Sequence, residues 1–470
     1  MDLTLANSMR LRSEARRVYR ASGLFGALLR SSGFFANPKD DGGEAFSQAL
    51  QSRRDDCRRA MGSAADESGL EPRVLGGGSN CLLPPLVDNP LALCDLTGFG
   101  MGPTVKGQTL VRVGAGEEWP AFVEQCARLG LRGVQFLADI PGAVGGAAVQ
   151  NIGAYGQEAA KSIQTVYGID LLTGEARALQ RDECQFGYRD SVFKTKPMRS
   201  FLVLAVDFTL SRAAARASDY PGLGEERERL LEERNKAAAL APEGGAALLE
   251  QFRRLQSQSL DGALKAYESL AQELRGKIAA EGPDGPKGRD PRVLGREGEP
   301  CRNPLGCGEP WRFFERAYQS SGLFWAIVEE SNESGKGPAL DALAVSRLRA
   351  RKLPDPRTLP NLGSYFKNIE MPLSDAKRLQ LDAPDLPIFE ISAKYSRPKA
   401  KIPAAYLLDR VGMKGRRRGG AVVNPLHPLV WLNAGGAGYD DFARLENDAK
   451  TAVKERFGVD LEREPVGDWN

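Results

Sequence analysis

Two glycine-rich segments are the residues of this sequence that most directly suggest chemistry. One is IPGAVGGAAVQNIGAYG at residues 140–156, which carries no charged side chain, and the other is GGGSN at residues 76–80. Bare backbone is needed where N–H groups must approach a diphosphate closely. Two such segments suggest one long cofactor. The candidate cofactor-binding residues are Gly76, Gly77, Gly78, Ser79, Asn80, Pro141, Gly142, Gly145, Gly146 and Gly153.

The glycine pattern does not match the G-x-G-x-x-G dinucleotide fingerprint. After Gly76 and Gly78, the third glycine position is Cys81, and no helix clearly starts there. A Rossmann domain is therefore disfavoured. Taken alone, each glycine segment has an ordinary alternative reading, namely tight turns with close packing of a helix.

Composition excludes several classes of function. The 470 residues include 64 basic and 61 acidic side chains, so the net charge is only +3 and gives no global field for nucleic acid or membrane binding. No window approaches eighteen apolar residues, and the length allows two or three domains.

Cys301 and Cys307 lack the second pair that a zinc site needs, so no metal is expected. His427 is the only histidine, which assigns proton transfer to some other group than a catalytic histidine.

Apolar periodicity predicts an α+β protein. Short apolar runs read as strands in RVLGGGSN, LVRVGAG, SIQTVYGIDLLTG and FLVLAVDFTL. Helical spacing predicts helices over 117–129, over the segment ALDALAVSRLRARK, and over 440–457 with Gly458 as its cap. GGAVVNPLHPLVWLN is typical of a strand pair. Residues 224–300 include charged segments rich in alanine and leucine, which indicate an inserted helical hairpin, and a linker at 281–291. The alternating charges of the hairpin are typical of a solvated surface, and a partner-binding face is the alternative.

Seven segments together resemble one enzyme family, the UDP-N-acetylenolpyruvoylglucosamine reductases (UDP-N-acetylmuramate dehydrogenases), in its first type. They are RVLGGGSN, IPGAVGGAAVQNIGAYGQE, FGYRDSVFK, RKLPDP, GSYFKN, LLDRVGMKG and FGVDLERE. The resemblance implies a two-subdomain FAD-binding fold of the vanillyl-alcohol oxidase/PCMH type, followed by a C-terminal α/β substrate-binding domain. We expect an N-terminal extension at 1–50, the FAD-binding domain at 51–208, and the substrate-binding domain at 209–470 with its insertion at about 224–340.

The resemblance also implies the reaction and the ligands. FAD would take a hydride from NADPH and pass it to UDP-N-acetylglucosamine enolpyruvate, giving UDP-N-acetylmuramate for peptidoglycan precursor synthesis. The protein is expected to be a monomer that binds neither nucleic acid nor membrane. A bacterial cytoplasm is the default compartment, and a plastid is the alternative if the arginine-rich start of the chain is a transit peptide.

Three residues match the catalytic positions of the family. Arg189, in FGYRDSVFK, offers a planar and permanently charged donor for a carboxylate or enolate, although a random arginine is more often part of a surface salt bridge. Ser364, in GSYFKN, matches the proton donor to the substrate carbanion. Glu464 matches the glutamate that assists the arginine, and Glu462 is its competitor.

Five further residues match substrate-binding positions. Tyr220 would close over the uridine ring, where stacking gives it a physical role, and Tyr188 is expected to line the same pocket. The others are Lys352, Asn368 and Lys414.

This chain departs from the family at two positions near the expected ligands. His427 stands where the family has glutamine, and Asp139 puts a carboxylate near the expected diphosphate, which is unfavourable unless it points away. Two other readings stay open: another oxidoreductase of the same flavin fold, and a degenerate or repurposed relative that acts as a binding or scaffold protein.

Overall fold

The structure is a computed structural model that describes most of the chain. The described residues are 14–15, 18–21, 25, 29, 34–36, 38, 46, 50, 69–213, 220–240, 245–280, 337–356, 358–391 and 398–467. The predicted linker at 281–291 and most of the predicted extension at 1–50 lie outside them. No helix among the described residues is long and apolar enough to cross a membrane.

The first strands form small sheets that carry the GGGSN loop. A central strand pairs in parallel with one strand on each side, and a further two strands pair in parallel beside them. The strands are β1 Glu14–Ala15, β2 Val18–Arg20, β3 Arg73–Leu75, β4 Leu86–Val87 and β5 Leu91–Leu93. The GGGSN loop leaves the end of β3, as the sequence predicts.

A five-stranded antiparallel sheet forms the main core and has the order β11-β10-β12-β7-β6. Its strands, together with a short two-stranded sheet, are β6 Phe99–Val105, β7 Gln108–Gly114, β8 Gly153–Ala154, β9 Gln157–Glu158, β10 Ile163–Asp170, β11 Ala176–Gln180 and β12 Phe201–Ser211. Nearly every residue of β12 is buried, because helices cover one face of the sheet. Those helices are α1 Trp119–Arg128 and α2 Val144–Gln150.

A layer of three helices follows and packs on the same core. They are α3 Leu223–Leu240, α4 Gly245–Ala280 and α5 Pro338–Lys352. The helices that the sequence predicts here are confirmed, but their surface is less solvated than expected. Leu230 and Ala237 of α3 and Phe252 of α4 belong to the core of the five-stranded sheet, because they face α5 rather than water.

Buried charges join α3 to α5. The Glu226 side chain is 1% exposed and pairs with Arg347 at 2.9 Å and with Arg351, while Glu233 pairs with Arg347 at 2.9 Å. Because charged groups are taken out of water here, each one needs its partner to stay buried. The alternating charges of α3 therefore hold a helix interface as well as a solvated face.

The C-terminal unit is a second α/β body with its own core. A four-stranded sheet has the order β13-β19-β18-β17, and a three-stranded sheet has the order β14-β16-β15. The elements are β13 Asn361–Ser364, β14 Ile369–Pro372, α6 Leu373–Asp382, β15 Phe389–Ile391, β16 Lys399–Ile402, α7 Ala404–Arg410, β17 Arg417–Arg418, β18 Ala421–Val423, β19 Val430–Asn433 and α8 Tyr439–Phe457. The predicted strand pair and the predicted last helix are confirmed, and Gly458 ends α8 at a φ of 67°.

We predict that Glu226→Ala lowers the free energy of unfolding by about 3 kcal/mol, because it leaves Arg347 buried with one of its two carboxylates missing. Urea denaturation measures the change. Glu225→Ala is the matched control, since Glu225 lies in the same turn of α3 and is exposed. Equal effects of the two substitutions would contradict a structural role for the buried carboxylate.

Candidate active site

The structure brings Arg189 and Glu464 together across 275 residues of sequence. The Arg189 Nε donates to the Glu464 Oε1 at 2.9 Å, and each side chain is 16% exposed. Arg189 also donates from Nη2 to the carbonyl oxygen of Gly153. Partial burial strengthens this charge pair relative to a surface pair, and both groups still reach open space.

A tight turn presents Arg189. Gly187 and Asp190 exchange backbone hydrogen bonds of 2.9 and 3.3 Å, which places Arg189 at the tip with a φ of 52°. That left-handed conformation is costly for an arginine and needs support from its surroundings. Lys194 supplies it by donating from Nζ to the Arg189 carbonyl at 2.8 Å, and the side-chain amide of Asn151 donates to the Gly187 carbonyl at 2.7 Å.

The segment at 461–467 holds Glu464 from both sides. The Glu464 N–H donates to the carbonyl of Tyr365 at 3.0 Å, on the C-terminal unit. Two residues later, the Val466 N–H donates to the Asn80 carbonyl at 2.9 Å, on the first glycine loop. Ser364, at the end of β13, directly precedes Tyr365. One extended segment therefore places the glutamate between the serine and the glycine loop.

Glu462, the competing glutamate, borders the same cavity but has a different partner. Its carboxylate pairs with Lys367 at 2.5 Å and is 72% exposed. The geometry therefore favours Glu464 as the partner of Arg189.

The two glycine loops touch each other. A Cβ on Gly77 would lie 3.0 Å from the Cα of Gly142, and Ser79 Oγ donates to the Pro141 carbonyl at 2.9 Å. Half of the second segment is the helix α2, where a Cβ on Gly145 would lie 2.8 Å from the Cβ of Ala115. Much of the bare backbone therefore serves close packing between segments.

Gly146 is different, because a Cβ there would meet no protein atom within 4 Å. It borders a cavity of about 820 Å³, a size within the range of ligand sites. The cavity is lined by all ten predicted cofactor-binding residues and by five of the other predicted residues. These five are Arg189, Tyr220, Lys352, Ser364 and Glu464.

Three predicted substrate residues do not line this cavity. Tyr188 lies beneath Lys401, whose Nζ is 3.5 Å from the ring centroid. Asn368 accepts the backbone N–H of Ala404 at 3.1 Å, at the start of α7, and Lys414 pairs with Asp409 at 3.0 Å. As the structure stands, these side chains act within the C-terminal unit or at its border. A substrate role for them stays a prediction.

Tyr220 and Lys352 meet at the mouth of the cavity. The Lys352 Nζ is 5.7 Å from the centroid of the Tyr220 ring, and that ring meets Tyr155 edge-on at 4.7 Å. No carboxylate in the described part of the chain pairs with Lys352. An ammonium group without an internal counter-charge is suited to an anionic ligand.

Sequence reasoning missed several cationic residues that line this cavity, among them Arg349 and Lys194. Arg349 lies three residues before Lys352 on α5, so both face the cavity, and its Nε donates to the Asp139 carbonyl at 3.2 Å. Helical spacing from Lys352 was the available signal. Burial, followed by the nearby Lys367, lowers the pKa of Lys194. His427, the departure noted in the sequence, also borders the cavity, and burial lowers its pKa.

Asp139 borders the cavity as well. Its side chain is almost fully buried, and burial raises its pKa to about 6, against a hydrogen bond with Ser346 and the charge of Arg349. A carboxyl group with this pKa binds a proton more readily than usual. The repulsion that the sequence suggested between this carboxylate and a bound diphosphate is thereby reduced at mildly acidic pH.

The residues present fit a flavin cofactor. A long groove lined by glycine backbone, with Gly146 open to it, offers N–H groups to a diphosphate. The Arg73 Nε and the side-chain nitrogen of Gln150 border the same cavity, are buried, and lack protein partners. Donors of this kind are suited to phosphate or to the polar edge of a ring system.

Two family models match the chain. One, described as the C-terminal domain of UDP-N-acetylenolpyruvoylglucosamine reductase, matches residues 355–467, and the other, described as an FAD binding domain, matches residues 52–180. These matches confirm the expected fold class, an FAD-binding domain of the PCMH type followed by the C-terminal domain of the reductases.

Curated relatives match over most of the chain. UDP-N-acetylenolpyruvoylglucosamine reductases of Burkholderia mallei and Burkholderia pseudomallei are 31% identical over 404 residues, covering 85% of this chain and 85% of each relative. The crystal structure of UDP-N-acetylenolpyruvylglucosamine reductase from Thermus caldophilus is 17% identical and covers 99% of this chain and 97% of that chain. Its TM-score of 0.43 is too low to support an inference.

We predict that Gly146→Leu weakens FAD binding by at least about tenfold without lowering stability, because the new side chain enters the cavity and meets no protein atom. Fluorescence titration of the apoprotein with FAD measures the affinity. Gly145→Leu is the comparison, since its side chain would collide with Ala115 and lower the melting temperature. Unchanged FAD affinity in Gly146→Leu would place the cofactor elsewhere.

We predict that Asp139→Asn stabilises the apoprotein in a pH-dependent way. Since the folded-state pKa of Asp139 is raised from 3.8 to about 6, ionisation penalises the folded state above that pH and has no effect well below pH 4. The variant should therefore be more stable than the wild type by roughly 3 kcal/mol at pH 8, and the difference should vanish as the pH falls to about 3.5. Urea titrations across this range measure it, and a difference independent of pH would contradict the assignment.

Proposed function

The chain belongs to the UDP-N-acetylenolpyruvoylglucosamine reductase family, and we propose that Arg189, Ser364 and Glu464 carry out the chemistry of its reaction in the cavity described above. The protein is an FAD-dependent oxidoreductase of peptidoglycan precursor synthesis. The observation that supports the residue assignment is a single cavity, lined by the glycine loops, the Arg189–Glu464 pair and Ser364.

FAD, when bound, would supply the chemistry of hydride transfer from NADPH to the methylene carbon of the enolpyruvyl ether. Gly76–Gly78 and Gly142–Gly146 would hold the cofactor's diphosphate through backbone N–H groups. Gly146 offers the open approach, and Arg73 and Gln150 offer donors that the protein leaves without partners.

Arg189 stabilises the negative charge that develops beside the substrate carboxylate. Its guanidinium is permanently charged, planar and held by Glu464 and the Gly153 carbonyl, so it needs little reorganisation as the charge appears. Glu464 aims that guanidinium through the 2.9 Å hydrogen bond to Nε and leaves Nη1 for the substrate. The pair thus presents the guanidinium of Arg189 to the substrate in a fixed orientation as a hydrogen-bond donor.

Ser364 gives the proton that completes the reduction. Its Oγ makes no hydrogen bond to another described residue, so the hydroxyl is free to face the substrate. A serine hydroxyl is a weak acid, but the acceptor, a carbon beside a carboxylate, is a strong base while it carries negative charge. The proton moves from Ser364 Oγ to that carbon, and solvent later restores it.

Lys352 and Tyr220 bind the nucleotide end of the substrate. The ammonium group offers charge to the diphosphate, and the 38% exposed ring of Tyr220 offers a stacking surface to uracil. A cytoplasmic location belongs to this proposal. The alternative of a scaffold protein is not favoured, because a scaffold would not need this cavity or its oriented charges.

We predict that Ser364→Ala separates the two halves of the reaction. NADPH should bleach the flavin bands at the wild-type rate, while recovery on adding the enolpyruvyl substrate should slow by about 10²- to 10⁴-fold, because only the proton donor is missing. Anaerobic stopped-flow absorbance measures both steps. Ser374→Ala, on the exposed surface of α6, is the matched control. Wild-type recovery in Ser364→Ala would assign the proton to another group.

A further inference from the structure

Tyr267, in the middle of α4, contacts the end of the helix that carries Lys352. Its hydroxyl donates to the backbone carbonyl of Lys352 at 2.8 Å. Lys352 is the last residue of α5, where carbonyl groups have no partner within the helix. Tyr267 is buried, and burial raises its pKa, so the hydroxyl stays a proton donor. Tyr267, on one of the inserted helices, thus provides a hydrogen-bond donor to the end of α5 that borders the cavity.

The surroundings of Tyr267 are rigid. Leu270, Ala271 and Leu274 lie one and two turns further along α4 and pack with Tyr267 against the four-stranded sheet. Arg275 extends the same contact by donating from Nη2 to the Thr358 carbonyl at 3.1 Å, just beyond α5. The position of the tyrosine is therefore fixed by the C-terminal unit.

The other side-chain contacts of α5 are made by residues before Lys352, and those in its last turn include Arg351, which pairs with Glu226 and donates from Nη2 to Ser259 Oγ at 3.0 Å. Glu226 and Glu233 of α3 pair with Arg347, and Arg349 reaches the Asp139 carbonyl. Lys352 itself extends to the Tyr220 ring and has no acidic partner among the described side chains. Tyr267 is the described side chain that hydrogen-bonds to the backbone of Lys352 itself.

We propose that Tyr267 is a positioning residue for substrate binding, which fixes the last turn of α5 so that the Lys352 ammonium faces the substrate diphosphate. This inference rests on the role proposed above for Lys352. It assigns a function to the inserted helices: they brace one binding residue of the cavity. The alternative is that Tyr267 only adds to the stability of the helix interface.

Tyr267→Phe tests the proposal, because it removes the hydroxyl and keeps the packing. We expect KM for the enolpyruvyl nucleotide to rise about three- to tenfold, the loss of one oriented contact, with kcat and the rate of flavin reduction by NADPH unchanged. Tyr406→Phe is the matched control, since it removes a 2.6 Å hydrogen bond to Asp385 on the exposed side of the C-terminal unit. A purely stabilising tyrosine would lower the melting temperature and leave KM unchanged.

The same substitution in a Lys352→Met background separates the possible failures. If Tyr267 acts through Lys352, Tyr267→Phe adds no further rise in KM once the ammonium group is gone. An equal rise in both backgrounds, or none in the wild type, would overturn the inference and leave the role of Lys352 intact. If Lys352→Met alone leaves KM unchanged, the proposed role of Lys352 fails, and the inference fails with it.

Discussion

The candidate active site depends on the contact between Arg189 and Glu464, which the chain makes across 275 residues. Arg189 belongs to a turn of the flavin-binding half, and Glu464 follows the last helix of the C-terminal unit. Neither half contains the pair alone. The cavity is therefore a property of how the two bodies meet, and the extended segment at 461–467 fixes that meeting by bonding to both. A partly buried pair of this kind tolerates little displacement, because each charge left in the interior requires the other.

Much of the fold follows from local patterns in the sequence. The strands β10 and β12 and the helix α8 carry strong apolar periodicity, so their type and approximate bounds were predictable. The sequence did not show that Gly77 and Gly142 also let two loops touch, because contact between distant segments leaves no local pattern. The burial of Glu226 was hidden for the same reason: its partners lie 121 and 125 residues further along the chain (347 − 226 and 351 − 226).

The sequence predicted those residues of the candidate site that stand in motifs of the family. Arg189, Ser364, Glu464, Tyr220 and Lys352 lie on one cavity, as the family resemblance implied. Tyr188, Asn368 and Lys414 lie in the same motifs but make contacts within or beside the C-terminal unit. The position of a residue in a motif therefore predicted the region in which it lies, but it did not predict which atoms its side chain contacts. Arg349 and Lys194 were missed, since an isolated cation in a sequence is usually solvated, and only the fold shows that these two are not.

The bond between Val466 and Asn80 joins residues that are far apart in the order of synthesis. A ribosome makes the GGGSN loop early, and the flavin-binding sheet can form while later residues are still being added. The wall that contains Glu464 cannot close until residue 466 has left the exit tunnel. A nascent chain can therefore gain its cofactor site before it gains its substrate site, and an arrested or shortened chain would be left with a half-built cavity open to solvent.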